Sequence, residues 1–367
     1  MMEKTEKRER NFGVDALRCV AMLLIVCLHV MNRGGAKPSS PGMAMNMLYP
    51  LRVFASAAVN MYALISGYVS FRSRFHPARV FELWLQVLFL NVVIGLVGCL
   101  IQPGAMDGFW VRYLFPFTQK AYWYFTAYVG VYCFSPLINR AIRILNRTQA
   151  KVMVWIMLLV FSLGASLGYL GQGDPFFIGF GYSVLWLLVL YVVGACVHHA
   201  GLFEQTSAKR LLLCLLLCVV LELCLYNLMQ IGSLPEDLRK KSSQLLEYTC
   251  PLITAVSLLM LLLFVRLKPG PRWRKLIAFA APLTFGVYII HVHHAVWIPL
   301  LGSFTFLLKL PAWLLPFAVI AAALGLFLAC LCVDFLRARL FRLLRVREAM
   351  DRLEAALRRF VYRNRTE

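Results

Sequence analysis

The sequence predicts an all-α fold, a polytopic transmembrane helical bundle of about ten helices with both termini cytoplasmic. Three observations carry that expectation. The 367 residues are 61% hydrophobic and only 15% charged, against about 25% charged in soluble domains. The apolar residues come in runs of about 20, the length that crosses a hydrocarbon core. Lys and Arg fall between those runs and at the ends of the chain, as the positive-inside rule expects.

In order, the runs place spans at about 12–31, 47–71, 80–101, 121–139, 152–171, 179–198, 211–231, 246–265, 276–296 and 312–333. With the N-terminus inside, the inner stretches hold Lys4, Lys7, Arg8 and Arg10, then Arg72, Arg74 and Arg79, and Arg140, Arg143, Arg147 and Lys151. Lys209 and Arg210, the bases from Arg266 to Lys275, and the tail follow on the same side. The outer stretches hold only Arg33, Lys37, Arg52, Arg112, Lys120, Arg239, Lys240, Lys241 and Lys309. Summed over the stretches, the bias is about threefold. Turn residues such as Pro103-Gly104 and Gly171-Gln-Gly-Asp-Pro175 mark the outer loops. Residues 1–335 read as one transmembrane domain. Residues 336–367 read as a basic amphipathic cytoplasmic tail lying along the membrane.

The net charge of +21 does not point to nucleic acid, because the cations are confined to the edges of spans. Anionic membrane lipid is the partner that explains most of them. The 11 cysteines lie almost all within apolar runs and form no CxxC pair. They read as small buried hydrophobes, not as a disulfide framework or a zinc site. The first run lacks a small-residue cleavage pattern and reads as a retained helix. No internal repeat of the kind many transporters carry is evident.

The first span contains groups that lipid tolerates poorly: Asp15, Arg18 and, after ten intervening residues, His29. Eleven steps of about 100° return to within about 20° of the start, so Arg18 and His29 share one helix face. They stand roughly 16 Å apart along the axis. Asp15 is placed to pair with Arg18. The bland alternative has Arg18 snorkelling to the interface with Asp15 as counter-ion, and His29 closing the outer end. Further along, Asn60 and Glu222 are polar groups in mid-span, suited to line a cavity. His291-Val-His293-His294 ends the ninth span, but no carboxylate or cysteine lies near enough in sequence to argue for a metal.

The string Asn11-Phe-Gly-Val-Asp15-Ala-Leu-Arg18, followed by ten residues and His29, resembles the opening of the membrane acyltransferase-3 family. Leu64-Ile-Ser66-Gly67-Tyr68 is similar to that family's Ser-Gly-aromatic element. Tyr122-Trp123-Tyr124-Phe125 with Ser135-Pro136-Leu137 is similar to its Trp-Phe helix. Phe285-Gly286-Val-Tyr288-Ile-Ile-His291 is similar to its Tyr-x-x-His ending. The resemblance runs from about 11 to 335.

It implies a ten-helix enzyme of the bacterial plasma membrane that acylates sugars of cell-surface glycans or their lipid-linked precursors. Acetyl-CoA or another acyl-CoA would be the cytoplasmic co-substrate, with no resident cofactor and no metal. Arg18 and His29 match the family's Arg-x10-His element, so the resemblance implies Arg18 at the donor and His29 as general base or transient acyl carrier, with Asp15 supporting Arg18. It places Tyr122, Trp123, Tyr288 and His291 on the acceptor side. Donor phosphates would meet Arg72, Arg74 and Arg79, with Ser66 near them. The loop reads Phe71-Arg72-Ser-Arg74-Phe-His76-Pro-Ala-Arg79 and lacks the Arg-x-x-Arg spacing common in the family. The bland reading of Ser66 is helix packing beside Gly67. The competing function is a transporter or flippase whose substrate path uses Arg18, Glu222 and His291.

Overall fold

The computed structural model describes residues 10–363 except Arg74, Ala105 and Gln172. All regular structure among them is helical. In order the helices are α1 Phe12–Asn32, α2 Met43–Ser70, α3 Pro77–Ile101, α4 Trp110–Leu114, α5 Trp123–Arg143, α6 Arg147–Leu158, α7 Ala165–Leu170, α8 Val184–His199, α9 Ala208–Met229, α10 Glu236–Lys240, α11 Pro251–Val265, α12 Pro271–Ala280, α13 Thr284–Val292, α14 His294–Trp297, α15 Leu315–Leu343 and α16 Val346–Arg363. Among the described residues, eight stretches are long and apolar enough to cross a membrane: α1, α2, α3, Arg147–Leu170, α9, Glu236–Val265, Pro271–Val292 and α15. The expected spans at 121–139 and 179–198 are also helical, as α5 and α8. α8, at 16 residues, falls short of that length.

Helix starts follow local chemistry. Asn11 caps α1 by accepting from the Val14 N–H at 3.1 Å. Ser183 and Ser207 cap α8 and α9 in the same way. Asn146 and Gln149 satisfy each other's backbone N–H in a capping box at α6.

Burial separates a centre from a periphery. About two thirds of the apolar window of α1, α2 and the α11 span is buried, whereas the α3, α6–α7, α9 and α15 spans bury a third or less. The peripheral helices turn rows of Leu, Val and Phe outward, which water would penalise and lipid accepts. α1 packs on α2, α11 and α15, and α2 packs on α8.

The α2–α8 seam depends on glycine. A Cβ on Gly67 would run into the Tyr191 carbonyl, and one on Gly194 would run into the Leu64 carbonyl. The two backbones meet at these points, as small residues allow between membrane helices. We expect Gly67→Ala to destabilise the protein by about 1–3 kcal/mol, a typical cost of overpacking. A thermal melt in detergent would read this, and an unchanged melting temperature would contradict the packing described.

The apolar run expected at 312–333 lies within α15, which continues beyond it to Leu343. The chain then turns at Arg345 (φ 51°) into α16. α16 packs on α3, where Glu354 accepts from the Ala78 N–H at 3.1 Å and lies 3.5 Å from His76. Arg74, expected at the donor, lies outside the described residues, as do the first nine residues and the last four.

Candidate active site

α1 presents Asp15, Arg18 and His29. The Asp15 carboxylate is buried in the first turn and accepts from Arg18 at 2.7 Å and from Arg10 at 2.5 Å. Its place at a helix N-terminus adds a favourable dipole. The Arg18 side chain keeps about a third of its surface open. Tyr62 of α2 donates its hydroxyl to the Arg18 carbonyl at 2.7 Å, fixing α1 against α2 at this depth.

At the other end of the stripe, His29 Nδ1 lies 2.8 Å from His291 Nε2, and His291 Nδ1 lies 2.7 Å from the Val287 carbonyl. The partners assign the protons. A carbonyl only accepts, so His291 Nδ1 carries hydrogen. A neutral His291 then offers a lone pair at Nε2, and His29 Nδ1–H donates to it. His29 Nε2 is left with its lone pair and no protein partner among the described residues. His291 is fully buried, so it reaches the acceptor side only through His29. The pair is separated by 262 residues in sequence.

His29 borders two cavities. One is a narrow apolar chamber, about 560 Å³ with the open space at its mouth counted, running back toward Arg18 and walled by Met22, Ile25, Val59, Tyr62, Tyr124 and Phe285. The other is a wider vestibule of about 1490 Å³, its open mouth included, lined by Arg33, Arg112, Lys120, Tyr122 and Trp297 among others. Trp123, Tyr248 and Tyr288 wall both cavities with His29. The Trp297 ring sits 5.6 Å from the His29 ring, centroid to centroid.

The aromatic walls are held by buried amides. Asn60 donates to the Tyr248 carbonyl at 2.7 Å and accepts from the Trp186 indole N–H at 3.0 Å. It clamps Tyr248 from behind and is not among the described residues that border either His29 cavity. Asn91 accepts from the Tyr122 hydroxyl at 2.6 Å and donates to the Tyr113 carbonyl at 2.9 Å. The Tyr113 hydroxyl in turn accepts from the His294 N–H at 2.8 Å. Burial raises the Tyr113 phenol above its ordinary pKa, opposed by that N–H and by Arg112. The three histidines of the 291–294 string diverge: His293 stacks on Tyr113 and His294 on Phe109. His293 is fully buried.

At the Arg18 end the expected donor residues spread out. The Arg72 guanidinium lies over the Phe71 ring at 5.3 Å. Arg79 borders a small cleft, about 280 Å³ with adjoining open space counted, together with Ser70, Tyr132 and Asn139. Ser66 gives its hydroxyl to the Tyr62 carbonyl at 2.8 Å, within its own helix. An adjoining cleft is bordered by Arg140 and Arg143 of α5 with Ser73 and Phe75. Those two arginines have the Arg-x-x-Arg spacing that the loop after α2 lacks. Sequence reading counted them only as inner-face charge. Glu222 borders neither His29 cavity; it is buried on α9 and accepts from the Cys250 thiol at 3.3 Å.

The family model described as an acyltransferase domain, of the acyltransferase-3 type, matches residues 11–334. The chain belongs to the acyltransferase-3 family. Comparison with curated proteins gave no match, and comparison with solved structures gave none. With its eight candidate spans this acyltransferase-3 protein is a membrane acyltransferase. The matched region runs from the cap of α1 to the buried Asp334 and leaves α16 outside.

Proposed function

We propose that the protein transfers an acyl group, acetyl by preference, from cytoplasmic acyl-CoA to a hydroxyl of a cell-surface glycan or its lipid-linked precursor in a bacterial plasma membrane. The observation that carries this reading is His29 standing between two cavities with one nitrogen held by His291 and the other free. The chamber suits the slender arm of a thioester. The vestibule, with its aromatic walls, suits a sugar. Donor phosphates would meet Arg79, Arg140 and Arg143 at the far end, beyond Arg18 and its partner Asp15. Arg72 stays a candidate at the edge of that surface, Arg74 stays one by its place in the sequence, and Ser66 supports its helix. Tyr122, Trp123 and Tyr288 would contact the acceptor.

In the proposed reaction His29 Nε2 takes the proton of the acceptor hydroxyl as its oxygen bonds to the thioester carbonyl carbon. The carbon–sulfur bond then breaks, and the same proton passes from His29 to the departing thiolate. The imidazolium formed midway donates through Nδ1 to His291. Losing a hydrogen bond to a charged group costs about 1.5–3 kcal/mol. His291→Ala should therefore lower the transfer rate about 10- to 100-fold, with little change in acyl-CoA binding.

Proteoliposomes charged with radiolabelled acetyl-CoA on one side and envelope glycan precursor on the other test the reading. Label should appear in the glycan and free CoA on the donor side. Acetyl-CoA binding with no transfer to any hydroxyl acceptor of the envelope would overturn the reading. So would carriage of the unmodified precursor across the membrane, which is the transporter's signature.

A further inference from the structure

Three cations enter the vestibule from three separate elements. Arg33 follows α1, four residues beyond His29; Arg112 lies on α4; Lys120 lies in the turn before α5. All three are exposed, and none forms an ion pair with a carboxylate among the described residues. No Asp or Glu occurs among the described lining residues. This is a concentration of charge where charge is scarce, since the outer stretches of the chain hold only nine Lys and Arg.

The backbone at Lys120 adds an independent sign. Its φ of 49° is in the left-handed region, which non-glycine residues rarely adopt and which costs free energy unless surroundings enforce it. Strain of this kind clusters at ligand sites. A cavity lined by cations with no counter-charge focuses positive potential and draws in an anionic ligand.

We propose that the vestibule takes an acceptor carrying a phosphate or pyrophosphate group, held by Arg33, Arg112 and Lys120 while a neighbouring hydroxyl reaches His29. This rests on the acyl-transfer reading for which cavity holds the acceptor. The anion could be the pyrophosphate of a lipid carrier or the phosphodiester of a polymer; the recognising chemistry is the same.

Binding to the full-length protein in detergent tests the assignment without requiring catalysis. Farnesyl pyrophosphate should bind at least tenfold more tightly than farnesol, and the triple variant Arg33→Gln, Arg112→Gln, Lys120→Gln should lose that preference. His29→Ala should keep it, so failure of the chemistry and failure of this proposal read out separately. Competition by inorganic pyrophosphate would identify a lipid carrier as the source. Competition by glycerol phosphate alone would identify a polymer. CoA should bind the triple variant as it binds the parent. Equal affinity for farnesol and farnesyl pyrophosphate would overturn the proposal. Loss of CoA binding in the triple variant would also overturn it, by giving the vestibule to the donor. If the triple variant does not fold, Arg112→Gln alone should weaken farnesyl pyrophosphate at least threefold, and an unchanged affinity would count against the site.

Discussion

His29→Ala is expected to lower acyl transfer about 10²- to 10⁴-fold, the usual contribution of a positioned general base. A sugar hydroxyl is almost wholly protonated at neutral pH, so its oxygen attacks only if a base accepts the proton as the bond forms. Imidazole is matched to that task near neutrality. The ring is held for it: α1 sets its depth, His291 fixes its tautomer, and Trp297 lies beside it. The variant should still insert and melt near the parent temperature, because its ring edges two cavities and truncation leaves no filled core empty. Turnover with labelled acetyl-CoA checks the expectation. A rate within threefold of the parent would remove His29 from the reaction.

Arg337→Ala is expected to cost about 3–5 kcal/mol of stability, the range for leaving one partner of a buried ion pair alone. Arg337 makes two hydrogen bonds to the Asp334 carboxylate, at 2.9 and 2.7 Å, and Gln86 of α3 makes a third at 3.3 Å. The Asp334 side chain is fully buried and that of Arg337 nearly so. The site depends on this cluster at one remove. A Cβ on Gly286 would strike the Asp334 carboxylate, so α13 is seated directly on it, and α13 carries Tyr288 and His291. Thermal melts in detergent should therefore fall for Arg337→Ala, and Arg337→Ala with Asp334→Ala should regain part of the loss. A double variant worse than the single would mean the pair is not the source of the cost.

What the sequence disclosed follows from what helical period can report. Asp15, Arg18 and His29 lie within one helix, so a fixed angle per residue places them together, and the Asp15–Arg18 pair forms as expected. The glycine at 67 was legible as a packing residue because membrane helices approach closely only at small side chains. His291 was visible as a family-matched position, but its bond to His29 was not, because no local rule relates residues so far apart. Asn60 drew attention as a polar group in lipid, which is correct physics. Its partners, the Trp186 indole and the Tyr248 carbonyl, come from other elements and convert a suspected cavity lining into a clamp. The vestibule was the least legible part. Arg112, Lys120 and Trp297 sit on short helices and turns without periodicity, and only folding brings them to one wall. The reach of α15 past Arg337 to Leu343 was not legible, because an apolar run reports the membrane limit and not the helix limit.

The central claim is that His29 and His291 act as one unit on one proton. A double-mutant cycle on single-turnover acetyl transfer tests it most directly, with His29→Ala, His291→Ala and the two combined. If His291 works only through His29, the double variant will be no slower than His29→Ala alone. If the two losses multiply, His291 has a role of its own, and the account of the site given by that hydrogen bond is wrong.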